Sequence, residues 1–204
     1  MSRLRHLNRS ILSVAAVAMF SSVVVADDQE QSVQKLIERG ALEEAVQRAG
    51  AEGENAESTF LAAFALLKMN NNGAADERYE QLRERGDDSW KAIGEAGAKL
   101  LARDVEGAME AASRAVSAND SNPYAHYQLA IVATRQNNYE RAMEAFGKAV
   151  ELKPDFAYAH YYLAQAAQRL RQTPHAVQHY TAFVRLAPDA PERPAVQSLL
   201  RTLR

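Results

Sequence analysis

The chain has 204 residues, of which 47% are hydrophobic and 25% are charged, with nine glycines and six prolines. This balance is typical of a globular protein rich in helix-forming residues, and it excludes a chain that is disordered over its whole length. The absence of cysteine excludes disulfides, thiolate metal sites, a cysteine nucleophile and a lipid-modified cysteine.

Residues 1–26 have the order of a cleavable secretory signal. Three arginines precede an apolar run from Ile11 to Val25, which is followed by Ala26 and two aspartates. The run is shorter than the roughly 20 residues that a membrane-spanning helix needs. We therefore expect cleavage after Ala26, a periplasmic location and no stable membrane insertion of the mature chain. The alternative is that the segment stays attached as an anchor.

The mature chain is acidic. Three of the 24 basic residues lie in the signal, so 21 remain against 26 acidic residues, and the formal charge is −5. Proteins that bind nucleic acid usually carry a basic surface. The charge therefore predicts no nucleic-acid partner.

Two helical hairpins are predicted in the first third of the mature chain. Residues 27–54 contain a turn and the start of a second helix at Gly40 to Ala45, which indicates a degenerate N-terminal hairpin. Residues 55–88 contain two helical stretches, Phe60 to Met69 and Ala74 to Leu82, with an asparagine-rich turn between them.

The chain then repeats itself with a period of 34 residues. The heptapeptide YAHYQLA, which begins at Tyr124, returns as YAHYYLA at Tyr158, and residues 123–156 align without gaps on 157–190. Residues 89–122 hold their alanines in the same register. Three copies in one register predict a repeat architecture.

Each unit contains two stretches with helical periodicity, so the unit is predicted to be a helical hairpin. Pro154 and Pro188 should end the second helix of their units, because proline cannot continue the helical hydrogen-bond ladder. Thr173 is predicted to cap a helix that begins at Pro174. Residues 191–204 have apolar residues at helical spacing, which predicts a capping helix.

This pattern resembles the tetratricopeptide repeat (TPR) family. The resemblance rests mainly on two units, at the following residues: Leu129, Ala130, Tyr139, Ala142, Phe146, Ala149 and Pro154, and then Leu163, Ala164, Ala176, Tyr180 and Pro188. It implies an all-α fold, a right-handed superhelical solenoid of helix-turn-helix hairpins with a C-terminal capping helix.

In TPR proteins one face of the first helices lines a concave groove, and the resemblance implies the same here. The predicted groove residues are Trp90, Ile93, Tyr124, Tyr127, Arg135, Tyr158, Tyr161 and Arg169. Aromatic rings would hold a peptide, and the guanidinium groups would bind a carboxylate or backbone carbonyls. The alternative is that these aromatics pack between hairpins, or that a chain end folds back over them.

Other site chemistries have weak support in the sequence. The family's clamp for C-terminal carboxylates also uses lysine and asparagine, and the matching places here hold Gln, Thr and Tyr, so that activity is not carried over. His175 and His179 have a spacing that two zinc ligands can use, but no HExxH arrangement accompanies them. We predict no metal, no cofactor and no catalytic residues.

The sequence therefore predicts a non-catalytic interaction module that binds a peptide segment of an envelope or periplasmic partner. Two alternatives stay open. The chain could be a scaffold that self-associates into a homo-oligomer, or a permanent accessory subunit of a membrane or secretion complex.

Overall fold

The computed structural model describes residues 32–53 and 55–203. The predicted signal segment, residues 1–26, lies outside this part of the chain. Among the described residues, none of the helices combines the length and the apolarity of a membrane span.

The described residues form eleven α-helices and no strand. The helices are α1 (Val33–Glu38), α2 (Leu42–Ala51), α3 (Ala56–Lys68), α4 (Asn72–Arg85), α5 (Asp88–Leu101), α6 (Val105–Ala118), α7 (Pro123–Arg135), α8 (Tyr139–Leu152), α9 (Ala157–Arg169), α10 (Thr173–Leu186) and α11 (Arg193–Leu203). The all-α class predicted from the sequence is confirmed.

The turns inside the hairpins share one backbone geometry. Asn70, Arg103, Asn137 and Arg171 each have a φ between 58° and 62°, and the last three are spaced 34 residues apart. The next amide closes the turn onto the preceding helix, as when the Asn138 amide donates to the Ala133 carbonyl at 2.9 Å. This left-handed turn satisfies the free carbonyls at the helix end.

The turn also fixes where the second helix begins. The side chain of Asn138 accepts a hydrogen bond from the Arg141 amide and caps α8. One period later the N-cap is Gln172, which makes no side-chain cap, and α10 begins at Thr173. The predicted cap at Thr173 is therefore wrong, because the turn at Arg171 has already placed this residue inside the first helical turn.

Alanines occupy the contact between the two helices of a pair. In three successive pairs the facing alanines are fully buried: Ala96 and Ala108, Ala130 and Ala142, Ala164 and Ala176. Small side chains let the helix axes approach to the short end of the usual range of about 8–10 Å. Phe146 and Tyr180, at 1% and 2% exposed, fill the space beside these close contacts.

The hairpin stack bends until its early helices meet its late ones. Gln34 on α1 donates to the carbonyl of Asp155, just before α9, at 2.8 Å. Lys35 reaches the carbonyl of Leu186 at the end of α10 at 3.4 Å. The concave side of the stack is therefore covered in part by the chain's own first hairpins.

Candidate binding site on the inner face

The inner face is the surface formed by α5, α7 and α9, and it carries all eight predicted groove residues. Ile93, Tyr124, Tyr127 and Tyr158 are between 0% and 2% exposed. Trp90 and Tyr161 are partly buried, whereas Arg135 and Arg169 are exposed.

The predicted open groove is therefore closed at its aromatic centre. Tyr124, Tyr127, Tyr158 and Ile93 contribute to the core rather than to the surface in this conformation. Their role in binding a partner stays a prediction, and it now depends on whether a partner can reach them. The two arginines are the predicted residues that solvent reaches most freely.

Helix α3 covers the tyrosines. The Phe60 ring lies 5.2 Å from the Tyr124 ring, and the Phe64 ring lies 5.2 Å from the Tyr158 ring, centroid to centroid. Both phenylalanines also contact Tyr127, at 6.0 and 6.2 Å. This is the alternative in which the aromatics pack between hairpins, and helix α3 is the helix that packs on them.

An ion pair connects the end of α3 to Glu192, the residue just before α11. Lys68, at the end of α3, hydrogen-bonds to Glu192 and lies 4.4 Å from the centre of the Tyr158 ring. The Tyr158 hydroxyl donates to the other oxygen of Glu192 at 3.0 Å. Burial acts to raise the pKa of Glu192, but the hydrogen bond and the charge of Lys68 outweigh it and lower that pKa.

A second polar contact holds the start of α3. The Tyr124 hydroxyl donates to the Glu57 carboxylate, and the Lys153 ammonium lies 3.5 Å from the same oxygen. Burial is the main cause that raises the pKa of Tyr124, and the charge of Glu57 raises it further. The hydroxyl therefore stays protonated and remains a donor to this carboxylate.

The closure leaves a cavity of about 280 Å³ between α3, α4, α5, α7 and α9, which we call the inner cavity. Its walls combine apolar and polar surface, and the apolar and aromatic side chains include the following: Phe60, Phe64, Tyr79, Leu100, Ile131 and Tyr162. A volume of this size is near the lower end of the range for small-ligand sites.

Two residues with polar side chains, Tyr127 and Gln128, are among those that line the inner cavity. Tyr127 is 2% exposed, and its hydroxyl is shielded from solvent and has no hydrogen-bond partner among the described residues. Burial raises the pKa of this phenol well above its ordinary value, so the group keeps its proton. Gln128, also 2% exposed, lies beside it.

The inner cavity has one cation that is free to bind an anion. Arg135 lines it, is exposed, and makes no ion pair within residues 32–53 and 55–203. Lys68 also lines the cavity, but its charge is neutralised by Glu192. An acidic group at the cavity would therefore meet Arg135 first.

Arg169 lies in a different and more open depression of about 500 Å³, with Gln165, Gln168, Arg171 and Tyr180. The Tyr180 hydroxyl donates to Gln168 at 3.0 Å. The guanidinium carbon of Arg169 is 5.9 Å from the centre of the Tyr139 ring. The two predicted arginines thus lie in separate pockets of the inner face.

The four histidines of the described residues make contacts within the protein. The Nδ1 atoms of His160 and His179 are 3.0 Å apart, and His175 Nδ1 lies 2.8 Å from the Gln172 side chain. His126 contacts the Asp120 carbonyl at 2.8 Å. No group of three or more metal-ligating side chains occurs in the described part of the chain.

Sequence reasoning missed the residues that close the inner face. Phe60 and Phe64 fall in a predicted helix, but no pattern in the sequence indicates what their rings contact. Their i, i+4 spacing places both rings on one face of α3, which is a signal that this face is buried. Lys68 and Glu192 are 124 residues apart, and no local pattern connects them.

Comparison with known proteins supports the repeat architecture. Residues 132–170 match the family model for the TPR repeat. The structure of TTC0263, a thermophilic TPR protein of Thermus thermophilus, has a TM-score of 0.59 and 18% identity, with 83% of this chain and 93% of that chain covered.

A second similar structure is the first TPR of Spaghetti (RPAP3), bound to the HSP90 peptide SRMEEVD. Its TM-score is 0.53 and its identity is 17%, with 57% of this chain and 90% of that chain covered. At these identities the two structures show a shared fold. No curated protein matches the chain significantly.

Proposed function

We propose that this chain, which shares the helical-hairpin fold of solved TPR structures and matches the TPR repeat model over residues 132–170, is a non-catalytic interaction module. Its partner is a protein that presents a peptide segment to the inner face. The observation that carries the proposal is the inner cavity, where Arg135 is exposed, makes no ion pair with any described residue and stands beside buried polar and aromatic side chains.

The proposed contact surface is smaller than the groove that the sequence predicted. It consists of the mouth of the inner cavity at Arg135 and the neighbouring depression at Arg169. An acidic segment suits both, because a guanidinium group binds a carboxylate through charge-assisted hydrogen bonds. The peptide SRMEEVD, bound by the similar TPR protein, also carries acidic residues.

We place the protein and its partner in the periplasm or cell envelope. The support is the order of residues 1–26, with arginines, an apolar run and Ala26 before two aspartates. Mass spectrometry of the native protein should find a chain that begins at Asp27. An intact Met1 in the membrane fraction would contradict this assignment.

The partner can be found by affinity capture from periplasmic extract, with the mature chain as bait. The captured segment is then titrated against Arg135→Ala, Arg169→Ala and the double variant. We expect each single change to weaken binding by about 1–3 kcal/mol, since a charge-assisted contact is lost. Arg141→Ala is the control, because Arg141 is exposed on α8 outside both pockets and should change the affinity by less than about 1 kcal/mol.

Two outcomes would overturn the proposal. If both arginine variants keep full affinity, the partner binds elsewhere on the molecule. If light scattering shows a dimer and no partner is captured, self-association is the better account. Tyr127→Ala and Leu200→Glu cannot test the dimer, because these side chains are 2% and 8% exposed and the two changes would disrupt the core.

A further inference from the structure

We infer that His160, His175 and His179 form a binding site for a late first-row transition-metal ion, with Cu²⁺ held most tightly. His160 lies on α9, and the other two histidines lie on α10. None of the three lines the inner cavity or the depression at Arg169, so the inference does not depend on the proposed function. The sequence predicted no metal because it showed only the pair on α10, and the fold adds His160 to that pair.

Two ligand nitrogens already have the separation that a metal ion requires. The Nδ1 atoms of His160 and His179 are 3.0 Å apart, and the ring centroids are 5.3 Å apart. With metal–nitrogen distances of about 2.0–2.1 Å, this separation of 3.0 Å corresponds to an angle of about 91–97° at the ion. That angle is closer to the square-planar or tetragonal geometry of Cu²⁺ than to the tetrahedral geometry of Zn²⁺. A small rotation of each ring would direct both lone pairs at one ion.

The hydrogen bonds of His160 prepare its Nδ1 atom to be a ligand. Its Nε2 atom lies 3.2 Å from the Pro154 carbonyl, which can only accept, so Nε2 carries the proton and Nδ1 keeps its lone pair. Histidine ligands usually have their second nitrogen hydrogen-bonded in this way. In the metal-free chain, His179 Nδ1 donates to that lone pair. Metal binding moves this proton to Nε2 of His179, which exchanges one neutral tautomer for the other.

The pair is also in the neutral form that metal binding needs. Burial is the main cause that lowers the pKa of His160 and of His179, to about 4 for His179. Both side chains are nevertheless partly exposed, so an ion can reach them from solvent. The charge of Arg185 lowers the pKa of His160 as well, and the same charge repels a metal ion. Arg185 should therefore weaken the site.

His175 supplies the third ligand from the preceding turn of α10. It lies four residues before His179, so the two side chains share one face of the helix, with about 5–6 Å between their Cβ atoms. Its Nδ1 atom lies 2.8 Å from the Gln172 side-chain oxygen, which leaves Nε2 as the ligand atom. His175 is exposed, so it can change rotamer and join the pair. The described residues hold no ready-made group of three ligands, and this rotamer change completes one.

The ligand type selects the metal. Imidazole nitrogens suit Cu²⁺, Ni²⁺ and Zn²⁺, whereas Mg²⁺ and Ca²⁺ prefer oxygen ligands. Among these ions Cu²⁺ binds a given nitrogen site most tightly. We therefore expect Cu²⁺ to bind more tightly than Zn²⁺, and Mg²⁺ not to bind.

The preceding repeat contains an internal control. His126 contacts the Asp120 carbonyl at 2.8 Å, as His160 contacts the Pro154 carbonyl one period later. The residue that corresponds to His179 is Ala145. His126 thus has the same backbone contact as His160 without a histidine at the second position, and it should not bind the ion.

Isothermal titration calorimetry of the untagged mature chain with Cu²⁺, Zn²⁺ and Mg²⁺ tests the inference. We expect one Cu²⁺ to bind per chain. His160→Gln and His179→Gln should each weaken this binding at least about tenfold, since losing even a group that supports a metal ligand costs about 10- to 100-fold. His126→Gln is the matched control and should bind as the unaltered chain does. Arg185→Gln should bind more tightly.

NMR of the unaltered chain gives a second test, which does not depend on how the variants fold. Zn²⁺, as a diamagnetic probe, should shift the imidazole signals of His160, His175 and His179 and leave those of His126 in place. Cu²⁺ should raise the melting temperature of the chain, because it binds the folded state, and EDTA should reverse this rise.

The inference is overturned if His160→Gln binds Cu²⁺ as tightly as the unaltered chain, because the ion would then bind the exposed pair on α10 or an adventitious surface site. It is also overturned if Zn²⁺ shifts the signals of His126 as much as those of His160. Either result would leave the proposed function intact, since that function depends on Arg135 and Arg169 and is tested with a captured partner.

Discussion

Tyr124 and Tyr127 lie three residues apart on α7, and both are 2% exposed. The Tyr124 hydroxyl donates to Glu57, while the Tyr127 hydroxyl has no partner in the described structure. The two tyrosines are therefore equally buried, but only the hydroxyl of Tyr124 has a hydrogen-bond partner among the described residues. Comparing the two residues therefore measures how much the hydrogen bond of a buried tyrosine hydroxyl contributes to the free energy of unfolding.

Removing each hydroxyl should give different results. Tyr124→Phe should lower the free energy of unfolding by about 1–2 kcal/mol, because a hydrogen bond to a charged group is lost. Tyr127→Phe should leave it unchanged or raise it slightly, since an unsatisfied group is removed. Urea unfolding of both variants checks this. A clear loss of stability in Tyr127→Phe would mean that its hydroxyl has a structural partner after all.

The histidine pair predicts a pH-dependent stability. Burial, followed by the charges of the neighbouring His160 and His175, lowers the pKa of His179 to about 4. Burial also lowers the pKa of His160, helped by Arg185 and opposed by a hydrogen bond to Pro154. The folded state therefore favours two neutral rings, with their Nδ1 atoms 3.0 Å apart.

The direction of this pH dependence follows from the difference in proton binding between the folded and the unfolded chain. Between the unfolded value of about 6.5 and the lower folded values, the unfolded chain binds more protons. The stabilisation is thus complete above pH about 6.5 and is lost as the pH falls toward about 4. We expect the melting temperature to drop across this window, and His179→Gln to flatten the drop. His175→Gln, at an exposed site on the same helix, should reduce it only slightly, because it removes the smallest of the three causes that lower the pKa of His179.

At the scale of elements, α3 decides whether the inner face is open. The two phenylalanines on one side of this helix contact tyrosines of α7 and α9, and Lys68 at its end binds Glu192. The 34-residue pattern does not include these contacts, because it describes how each hairpin meets the next one.

Phe60→Ala should remove about 3–5 kcal/mol of stability, as is usual for a buried phenylalanine. Phe60 is 1% exposed and lies 6.2 Å from the ring of Trp90, the single tryptophan of the chain. Tryptophan fluorescence therefore reports the closure directly, and the emission should shift to the red in this variant. Tyr139→Ala, a partly exposed aromatic on α8, is the control and should cost far less.

At the scale of the molecule, contacts across the superhelix join its ends. In an open solenoid each repeat contacts only its neighbours, and stability is nearly a sum of local terms. Here the Lys68–Glu192 pair and the contacts of α1 with Asp155 and Leu186 connect hairpins far apart in sequence. Loss of such a contact should therefore lower the local stability at both ends of the superhelix.

Lys68→Met tests this coupling by native-state hydrogen exchange. We expect amides of α11 to lose protection together with those of α3, because both elements depend on the same ion pair. Lys148→Met is the control, since Lys148 pairs with Glu151 on its own helix and should have only a local effect. Loss of protection restricted to α2, α3 and α4 would show that the ends are uncoupled.

The all-α class and the hairpin repeat follow from local features of the amino-acid sequence. The features behind this prediction lie within one hairpin or between neighbours. They are the left-handed turns 34 residues apart, the buried facing alanines and the aromatics beside them. Their 34-residue period makes them recognisable in a single sequence. Helical periodicity also fixes the face of a helix on which a side chain lies. For this reason the exposure of Arg135 and Arg169 on inner helices agrees with their register in the repeat.

The closure of the inner face, by contrast, is a property of the tertiary structure alone. The small rotation at each hairpin contact accumulates along the stack, and its sum determines whether α3 reaches α7 and α9. The total rotation depends on the size of the side chains at every contact between hairpins, so it cannot be inferred from any local sequence pattern. For this reason Tyr124, Tyr127 and Tyr158 are buried, although their register is that of a groove, and the inner cavity with its unpaired phenol could not be predicted.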